Sequence, residues 1–512
     1  MNFFKMNFRS RVLLLSFCTG LAGGSVAIAY RWVLEYIESG RASLLLRPNL
    51  ISMAIWLAAA VIFAFVAEFF VKKDPLIGGS GIPQVKAYLI NQARQKPVRG
   101  LLFKFAGGAM GIFNGLSLGR EGPSIQLGSL AGQLLGERFG ETELERRTLV
   151  SAGASVGLAA AFNAPLAGVL FALEELYRSF SPLILLACTL SAVTGTLLSS
   201  FVYGFKPIFP ISISQTFPIG GYWHLLLIGA LCGLLGKLFN LMLVAFSKAY
   251  SKLKIGKVLA PTLLALPLML FFPLVLGGGH KLIETLLLDR HTVSMLLLLL
   301  GGKMLFTFAS YGTGVPGGIF LPMLSIGAVL GSLYFQGMDT LFGMETSFEE
   351  AFILFGMVGL FTAVVRAPLT GIVLLVEMSR SVPSMLPLAV VAFTAYLTAE
   401  ILDSDPVYEI LLKRLLEKQA KPQKEVSEKK SRYGRTILEL NLPQGSAYSG
   451  KTLSEIRLPA SVILVSLIRG EEEFPLRPDT VLYEGDLVIA AVDPNQTHAI
   501  QEQFAKIGEH FE

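Results

Sequence analysis

Charge is what this sequence has least of: Asp, Glu, Lys and Arg make up 16% of its 512 residues, against 53% hydrophobic residues. Soluble proteins carry about 25% charged and 45 to 50% apolar residues, so most of this chain is not built for water. Cysteine is scarce too. Cys18, Cys188 and Cys232 lie apart inside apolar segments, which excludes a disulfide framework and leaves small buried hydrophobes as the ordinary reading. The histidines, His224, His280, His291, His498 and His510, show no ligand spacing, so neither a metal nor a cofactor is implied. With no nucleophile paired to a base and no metal cluster, an enzyme is not expected.

Apolar runs are abundant instead. Those at residues 50–71, 149–173, 222–246, 293–310, 352–376 and 383–402 reach the 17 to 25 residues, roughly, that a bilayer crossing takes. Arg9 and Arg11 precede another run that continues through Tyr30 into Tyr36, and no small-residue cleavage site follows. That run reads as an uncleaved first helix. Basic residues gather at the start, at Lys72 and Lys73, at residues 94–99 and 248–257, and throughout residues 413–435. The positive-inside rule then puts both termini in the cytosol of a multi-pass cell-membrane protein, with an even number of crossings. The net charge of +6 is a signal of topology and of a lipid surface as partner. No basic stripe interleaved with aromatics appears, so nucleic acid is not an expected partner.

The chain also repeats itself. Pro123, Gly128 and Gly132 line up with Pro322, Gly327 and Gly331, and Asn163, Pro165, Gly168 and Glu174 line up with Arg366, Pro368, Gly371 and Glu377. One such match is a coincidence in a chain with 51 glycines. Two in the same order, ending in a shared glutamate, make duplication the better account. Transporters built from repeats commonly hold substrate at the repeat interface, on helices broken near the membrane midplane. The sequence alone leaves open whether the halves are inverted.

Past Asp403 the character changes. Residues 413–430 are crowded with Lys, Arg and Glu, which predicts a solvated helix and linker. A small α/β unit follows, with strands predicted at residues 436–440, 462–468 and 487–492 and short helices near Leu453 and at residues 496–504.

Three glycine-rich segments stand out: Gly79-Ser80-Gly81-Ile82-Pro83, Gly119-Arg120-Glu121-Gly122-Pro123, and Gly317-Gly318-Ile319-Phe320-Leu321-Pro322. Glycine lets backbone approach a ligand closely, and a helix start offers unpaired N–H groups at its positive end. Several such starts meeting in a membrane would hold a desolvated anion. The plainer reading is close helix packing. Glu121 shifts the balance, because an acidic residue at bilayer depth costs about 2.5 to 3.5 kcal/mol and should face a pathway. A carboxylate there is a tethered competitor for the anion, removable by a proton.

With these segments in this order, the chain resembles the CLC family of chloride channels and chloride/proton antiporters, over residues 8 to about 416. The resemblance implies an all-α polytopic membrane fold of two inverted repeats with broken helices, working as a homodimer. It implies that Ser80 and Tyr408 donate hydroxyl hydrogen bonds to chloride, that Ile319 and Phe320 donate backbone N–H groups, and that Glu121 is the gating glutamate. The backbone of Gly79, Gly81, Gly119, Arg120, Gly122 and Gly318 would line the anion path. Glu175 resembles the inner proton-transfer glutamate of the antiporters, which favours chloride/proton exchange over a passive channel. Its neighbour Glu174 reads as the mark of a helix end. Lys104 matches a buried lysine of the family, and either raises the potential along the path or snorkels to the cytosolic face. Lys303 and Asn240 read as structural. Ser80, rather than proline, resembles the chloride-preferring members, and the intact Gly-Arg-Glu-Gly-Pro segment departs from the fluoride exporters.

The tail lacks the paired cystathionine-synthase-like domains of eukaryotic members. Residues 450–453, 468–470, 475–480 and 484–486 instead resemble TrkA-C, the C-terminal ligand-binding module of bacterial potassium-uptake regulators. That implies a regulatory domain taking a small molecule; a folding or assembly accessory is the plainer alternative. A cation transporter, suggested by the tail alone, is opposed by the missing potassium-filter sequence and by the absence of an acidic ring. The expected organisation is a transport domain at residues 1–416, a charged linker at 417–435 and the α/β tail at 436–512.

Overall fold

A computed structural model describes residues 7–46, 49–178, 181–205, 207–209, 211, 217–253, 255–420, 436–442, 446, 448–456, 462–469, 472–483 and 485–492. The helix expected at residues 496–504 and the linker beyond residue 420 lie outside them. The chain forms two compact units, Met1–Glu417 and Lys418–Glu512.

The first unit is helical. Its first half runs through α1 (Phe8–Leu46), α2 (Leu50–Lys73), α3 (Ile82–Leu89), α4 (Pro97–Phe113), α5 (Glu121–Phe139), α6 (Glu143–Phe162), α7 (Pro165–Phe171) and α8 (Pro182–Tyr203). Its second half repeats the series as α9 (Tyr222–Ser251), α10 (Leu259–Phe271), α11 (His280–Leu288), α12 (Val293–Gly312), α13 (Phe320–Phe342), α14 (Glu349–Val365), α15 (Pro368–Ser379) and α16 (Met385–Ile401). A final helix, α17 (Val407–Ala420), follows. Among the described residues, eight helices are long and apolar enough to cross a membrane.

Two expected crossings are corrected. The apolar run at 149–173 is two helices, because Asn163 turns left-handed (φ 52) after α6 and Pro165 starts α7. The run at 352–376 breaks at the equivalent place, with Arg366 left-handed (φ 70) after α14 and Pro368 starting α15. Proline suits the first helical turn, where its missing N–H costs nothing. Hydropathy alone does not register such a break, since the residues around it stay apolar.

The halves pack alike. α5 lies on α6 as α13 lies on α14, and α1 on α8 as α9 on α16. Glycine makes the first contact possible in both halves. A Cβ on Gly128 would stand 2.1 Å from the carbonyl oxygen of Gly153, and one on Gly327 would stand 2.4 Å from that of Gly356. Such backbone approach is how membrane helices gain dispersion energy without a hydrophobic driving force.

Inversion of the halves follows from one reciprocal contact. Glu174, just past α7, accepts hydrogen bonds from Leu369 N (3.2 Å) and Thr370 N (2.7 Å) at the start of α15. Glu377, near the end of α15, accepts from Leu166 N (3.1 Å) and Ala167 N (2.8 Å) at the start of α7. Each helix end meets the other's beginning, so these equivalent helices lie antiparallel and the halves point opposite ways, as in an isologous contact. Glu174 therefore does more than mark a helix end: it caps the helix of the other half.

The second unit holds strands β1 (Thr436–Asn441), β2 (Ile463–Arg469), β3 (Glu472–Pro475) and β4 (Leu487–Val492), all antiparallel in the order β1-β4-β2-β3. β3 has no counterpart in the sequence reading, being short and half acidic. Leu438, Leu440, Val488, Ala490 and Val492 are buried at every second position, the period of a sheet with one covered face. The helix expected near Leu453 is a single 3₁₀ turn, Leu453–Glu455.

Candidate functional site

The glycine segments meet because they hydrogen-bond one another. Gly119 N donates to Gly318 O (2.7 Å) and Gly318 N returns the bond to Gly119 O (2.8 Å). These two glycines are equivalent positions of the two halves, so the pair sits on the axis relating them. Gly79 N donates to Gly314 O (3.2 Å), and Gly317 N donates back to Gly79 O (3.0 Å). The loops before α3, α5 and α13 are thereby fixed as one cluster, with three helix starts leaving it.

Close approach explains the glycines. Gly81 has φ 95, a left-handed value that suits glycine, as it begins α3. A Cβ on Gly122 would lie 2.6 Å from Ser80 O, and one on Gly119 would lie 2.3 Å from Glu121 Oε2. Any larger residue pushes the Ser80 loop off the start of α5, or fills the space of the carboxylate.

Glu121 opens α5 and is fully buried. Neither carboxylate oxygen has a hydrogen-bond partner of good geometry, and the backbone N–H groups of Glu121 and Leu321 face it. A buried charge normally has a partner; this one stands at the converging helix starts. Arg120 turns away, donating to Glu35 (3.0 Å), which also accepts from Arg31 (2.8 Å). Arg31, Glu35, Arg41, Arg120 and His280 line a cavity of about 700 Å³ that reaches Leu321.

Ile319 and Phe320, at the start of α13, are buried with their N–H groups at a helix beginning. The Phe320 ring packs between Phe162 (centroids 5.4 Å) and Phe361 (4.9 Å), the last turns of α6 and α14. Ser80 is buried, its Oγ accepts from Ile82 N (3.3 Å), and the Tyr311 hydroxyl of α12 lies against Gly79 beside it. Tyr408, at the start of α17, is fully buried and its hydroxyl has no partner. It lies within electrostatic reach of Tyr311, Glu175 and Glu121.

Lys104 does not snorkel. It is fully buried, and its ammonium donates to Ile77 O (2.8 Å) and Gly79 O (2.7 Å), holding the loop that carries Ser80. Lys303 is fully buried too, donating to Val275 O (3.0 Å) and Gly277 O (2.7 Å) before α11. Asn240 Nδ2 ties α9 to Asp405 O (3.0 Å).

Glu175 is apart from the glycine cluster, in a wide π-type turn at Ala172–Tyr177. It is buried and accepts from Lys86 Nζ (2.8 Å), which also pairs with Glu409. Sequence reasoning missed Lys86, Glu409 and Tyr311. The signal for the first was a lysine one turn into the short helix after Gly79–Pro83, and for the second an acid directly after Tyr408.

A family model described as voltage gated chloride channel matches residues 63–400, and one described as TrkA-C domain matches residues 437–505. The H(+)/Cl(-) exchange transporter ClcA of Cronobacter sakazakii is 34% identical over 425 residues, covering 80% of this chain and 90% of that protein. The transporter of the same description from Vibrio parahaemolyticus is 33% identical over 433 residues, covering 81% and 92%. A crystal structure of a slow cyanobacterial Cl-/H+ antiporter superposes with a TM-score of 0.76 at 29% identity, covering 81% of this chain and all (100%) of that one. A eukaryotic CLC transporter shares the fold, with a TM-score of 0.65 at 24% identity over 79% of this chain and 74% of its own. With its paired antiparallel halves and its interlocked glycine loops, this multi-pass membrane protein belongs to the voltage-gated chloride channel (CLC) family, and it carries a TrkA-C domain at residues 437–505.

Proposed function

We propose that the protein exchanges chloride for protons across a cell membrane. The observation that carries this reading is the unpartnered, buried Glu121 carboxylate at the meeting of the helix starts. Ionised, the carboxylate occupies the anion position itself, facing backbone N–H groups. Protonated, it has no charge to hold it there and swings out. Chloride then enters, coordinated by the Ser80 and Tyr408 hydroxyls and by the Ile319 and Phe320 N–H groups. The glycine backbone around them lets the ion come close.

Glu175 receives or supplies the proton on the inner side. It is supported by its depth, by its lying, like Glu121, within electrostatic reach of Tyr408, and by the exchange activity named for the relatives. The distribution of Lys and Arg supports cytosolic termini. The family resemblance implies a homodimer, and the resemblance of the tail to TrkA-C implies a small-molecule-responsive regulator.

The test is anion flux from reconstituted vesicles at several pH values, for the wild type and Glu121→Ala. Wild-type flux should rise as pH falls, and Glu121→Ala should flatten that dependence and stop proton movement. An unchanged pH dependence in the variant defeats the gating role, and wild-type vesicles with no anion flux at all defeat the whole reading.

A further inference from the structure

We propose that Lys86 is a positioning residue that sets when Glu175 takes up its proton and links that event to the elements carrying Ser80 and Tyr408. This rests on the inner proton role proposed for Glu175.

Lys86 Nζ lies 2.8 Å from Glu175 Oε1 and at the same time pairs with Glu409. Exposure rises in steps along this cluster: the side chains of Glu175 and Lys86 are 3% and 5% exposed, Glu409 22%, and Arg178, 3.0 Å from Glu409, 52%. The charged groups facing Glu175 are therefore Lys86 from α3, Arg178 at the end of its own turn, and Glu409 from α17. A lone buried carboxylate and an ion-paired one are different proton acceptors, because a cation within about 4 to 6 Å favours the ionised form.

Connectivity gives the pair a second consequence. α3 begins immediately after Ser80 and Gly81, and Lys86 sits one turn along it. Glu409 directly follows Tyr408 at the start of α17. One ammonium thus clasps the turn bearing Glu175, the helix after the Ser80 loop, and the helix bearing Tyr408. With Glu175 ionised, Lys86 is shared by two carboxylates. When a proton from inner water binds Glu175, that carboxyl becomes neutral and Lys86, keeping its own proton, is held by Glu409 alone. The cluster gains one positive charge and loses one of its three ion pairs, which frees α3 from the Glu175 turn while Arg178 still ties that turn to Glu409 on α17. Release of the proton toward Glu121 restores the clasp.

The experiment measures chloride and proton flux in vesicles, with inner-side pH varied, for Lys86→Met, Lys86→Arg, Glu409→Gln and Glu175→Gln. All are first checked for a monodisperse elution profile. Lys86→Met removes the cation, so proton transport should become half-maximal at an inner proton concentration roughly tenfold lower. Glu409→Gln leaves Lys86 wholly to Glu175 and should move it the opposite way, while Lys86→Arg should stay near the wild type. Shifts of opposite sign are not produced by loosened packing. If Lys86→Met and Glu409→Gln keep the wild-type inner-pH dependence while Glu175→Gln stops proton transport, the proposal for Lys86 is overturned and Glu175 stands. If Glu175→Gln transports protons normally, the underlying reading fails as well.

Discussion

Lys104 and Lys303 make the same kind of contact in opposite halves: each is fully buried, and each ammonium donates to carbonyls of the loop that precedes a short helix, at 2.8 and 2.7 Å for the two that Lys104 meets and at 3.0, 3.4 and 2.7 Å for the three that Lys303 meets. The loops are equivalent down to their backbone, with Gly79 and Gly277 both at φ 64 and Gly81 and Gly279 at φ 95 and 104. The loop with Ser80 at its centre is bonded into the glycine cluster by both Gly79 N and Gly79 O, whereas its counterpart is held by Gly277 N to Gly115 O (3.4 Å). The other has Gly278 in that place and lines the cavity beside Arg120.

That difference separates two substitutions. Removing the ammonium strands two buried carbonyls at Lys104 and three at Lys303, at a cost of about 1 to 3 kcal/mol each. Lys104→Met and Lys303→Met should therefore both unfold at lower temperature, followed by tryptophan fluorescence in detergent. Chloride flux per folded protein should fall severalfold for Lys104→Met, whose loop carries Ser80, and far less for Lys303→Met. Equal losses of flux would mean that the two lysines serve stability alone.

The exchange between Glu174 and Glu377 gives a second expectation. Each carboxylate satisfies two backbone N–H groups of the opposite half's helix. Glu377→Ala should lower the midpoint of thermal unfolding, at a cost of about 1.5 to 3 kcal/mol per lost charged hydrogen bond, and leave proton coupling intact. Glu174→Ala should behave the same way. A loss of coupling without a loss of stability in either variant would place that glutamate in the transport path.

Much of this was legible in the sequence, and the reasons differ by residue. Glu121 showed itself because a charge between apolar runs is costly, and Pro165 with Pro368 showed the repeat because both halves kept the same break. The break itself was not readable as a break, since Asn163 and Arg366 interrupt runs that remain apolar on average. Lys303 stands as far from Lys104 as Pro322 does from Pro123, so the repeat comparison could have paired the two lysines; that both ammoniums hold loop carbonyls was not legible, since no side-chain pattern reports a carbonyl. Lys86 follows the first glycine segment and Glu409 follows Tyr408, but the two are distant in sequence and nothing in either neighbourhood pairs them. Their pairing with Glu175 exists only once α3, the π-type turn and α17 converge.

In the tail, Asp486 is buried and accepts both guanidinium bonds of Arg469, at 2.8 and 2.7 Å, and one from Tyr483 N (2.7 Å). Burial alone would push this carboxyl up, but the bonds from Arg469 and the Tyr483 N–H outweigh it and hold it below the usual aspartate range. A carboxyl depressed in the folded state stabilises the fold above its unfolded value of about 3.9, and that contribution is lost as pH falls through the lower folded value. Amide exchange in β2 and β4 of the full-length protein, expressed relative to the intrinsic rate at each pH, should therefore be slow at neutral pH and relatively faster below about pH 4. Asp486→Asn should speed it already at neutral pH and weaken the acid dependence. A variant with wild-type protection at pH 7 would show that the Arg469 pair is not what holds the sheet to its loop.

The most direct test of the exchange reading is made on wild-type protein in sealed vesicles, with an outward chloride gradient and no pH gradient at the start. Chloride leaving the vesicles should drive protons inward against the gradient that builds, and Glu175→Ala should abolish this while chloride still flows. Robust chloride efflux with no uphill proton movement in the wild type would contradict the account and leave Glu121 as the gate of a passive channel.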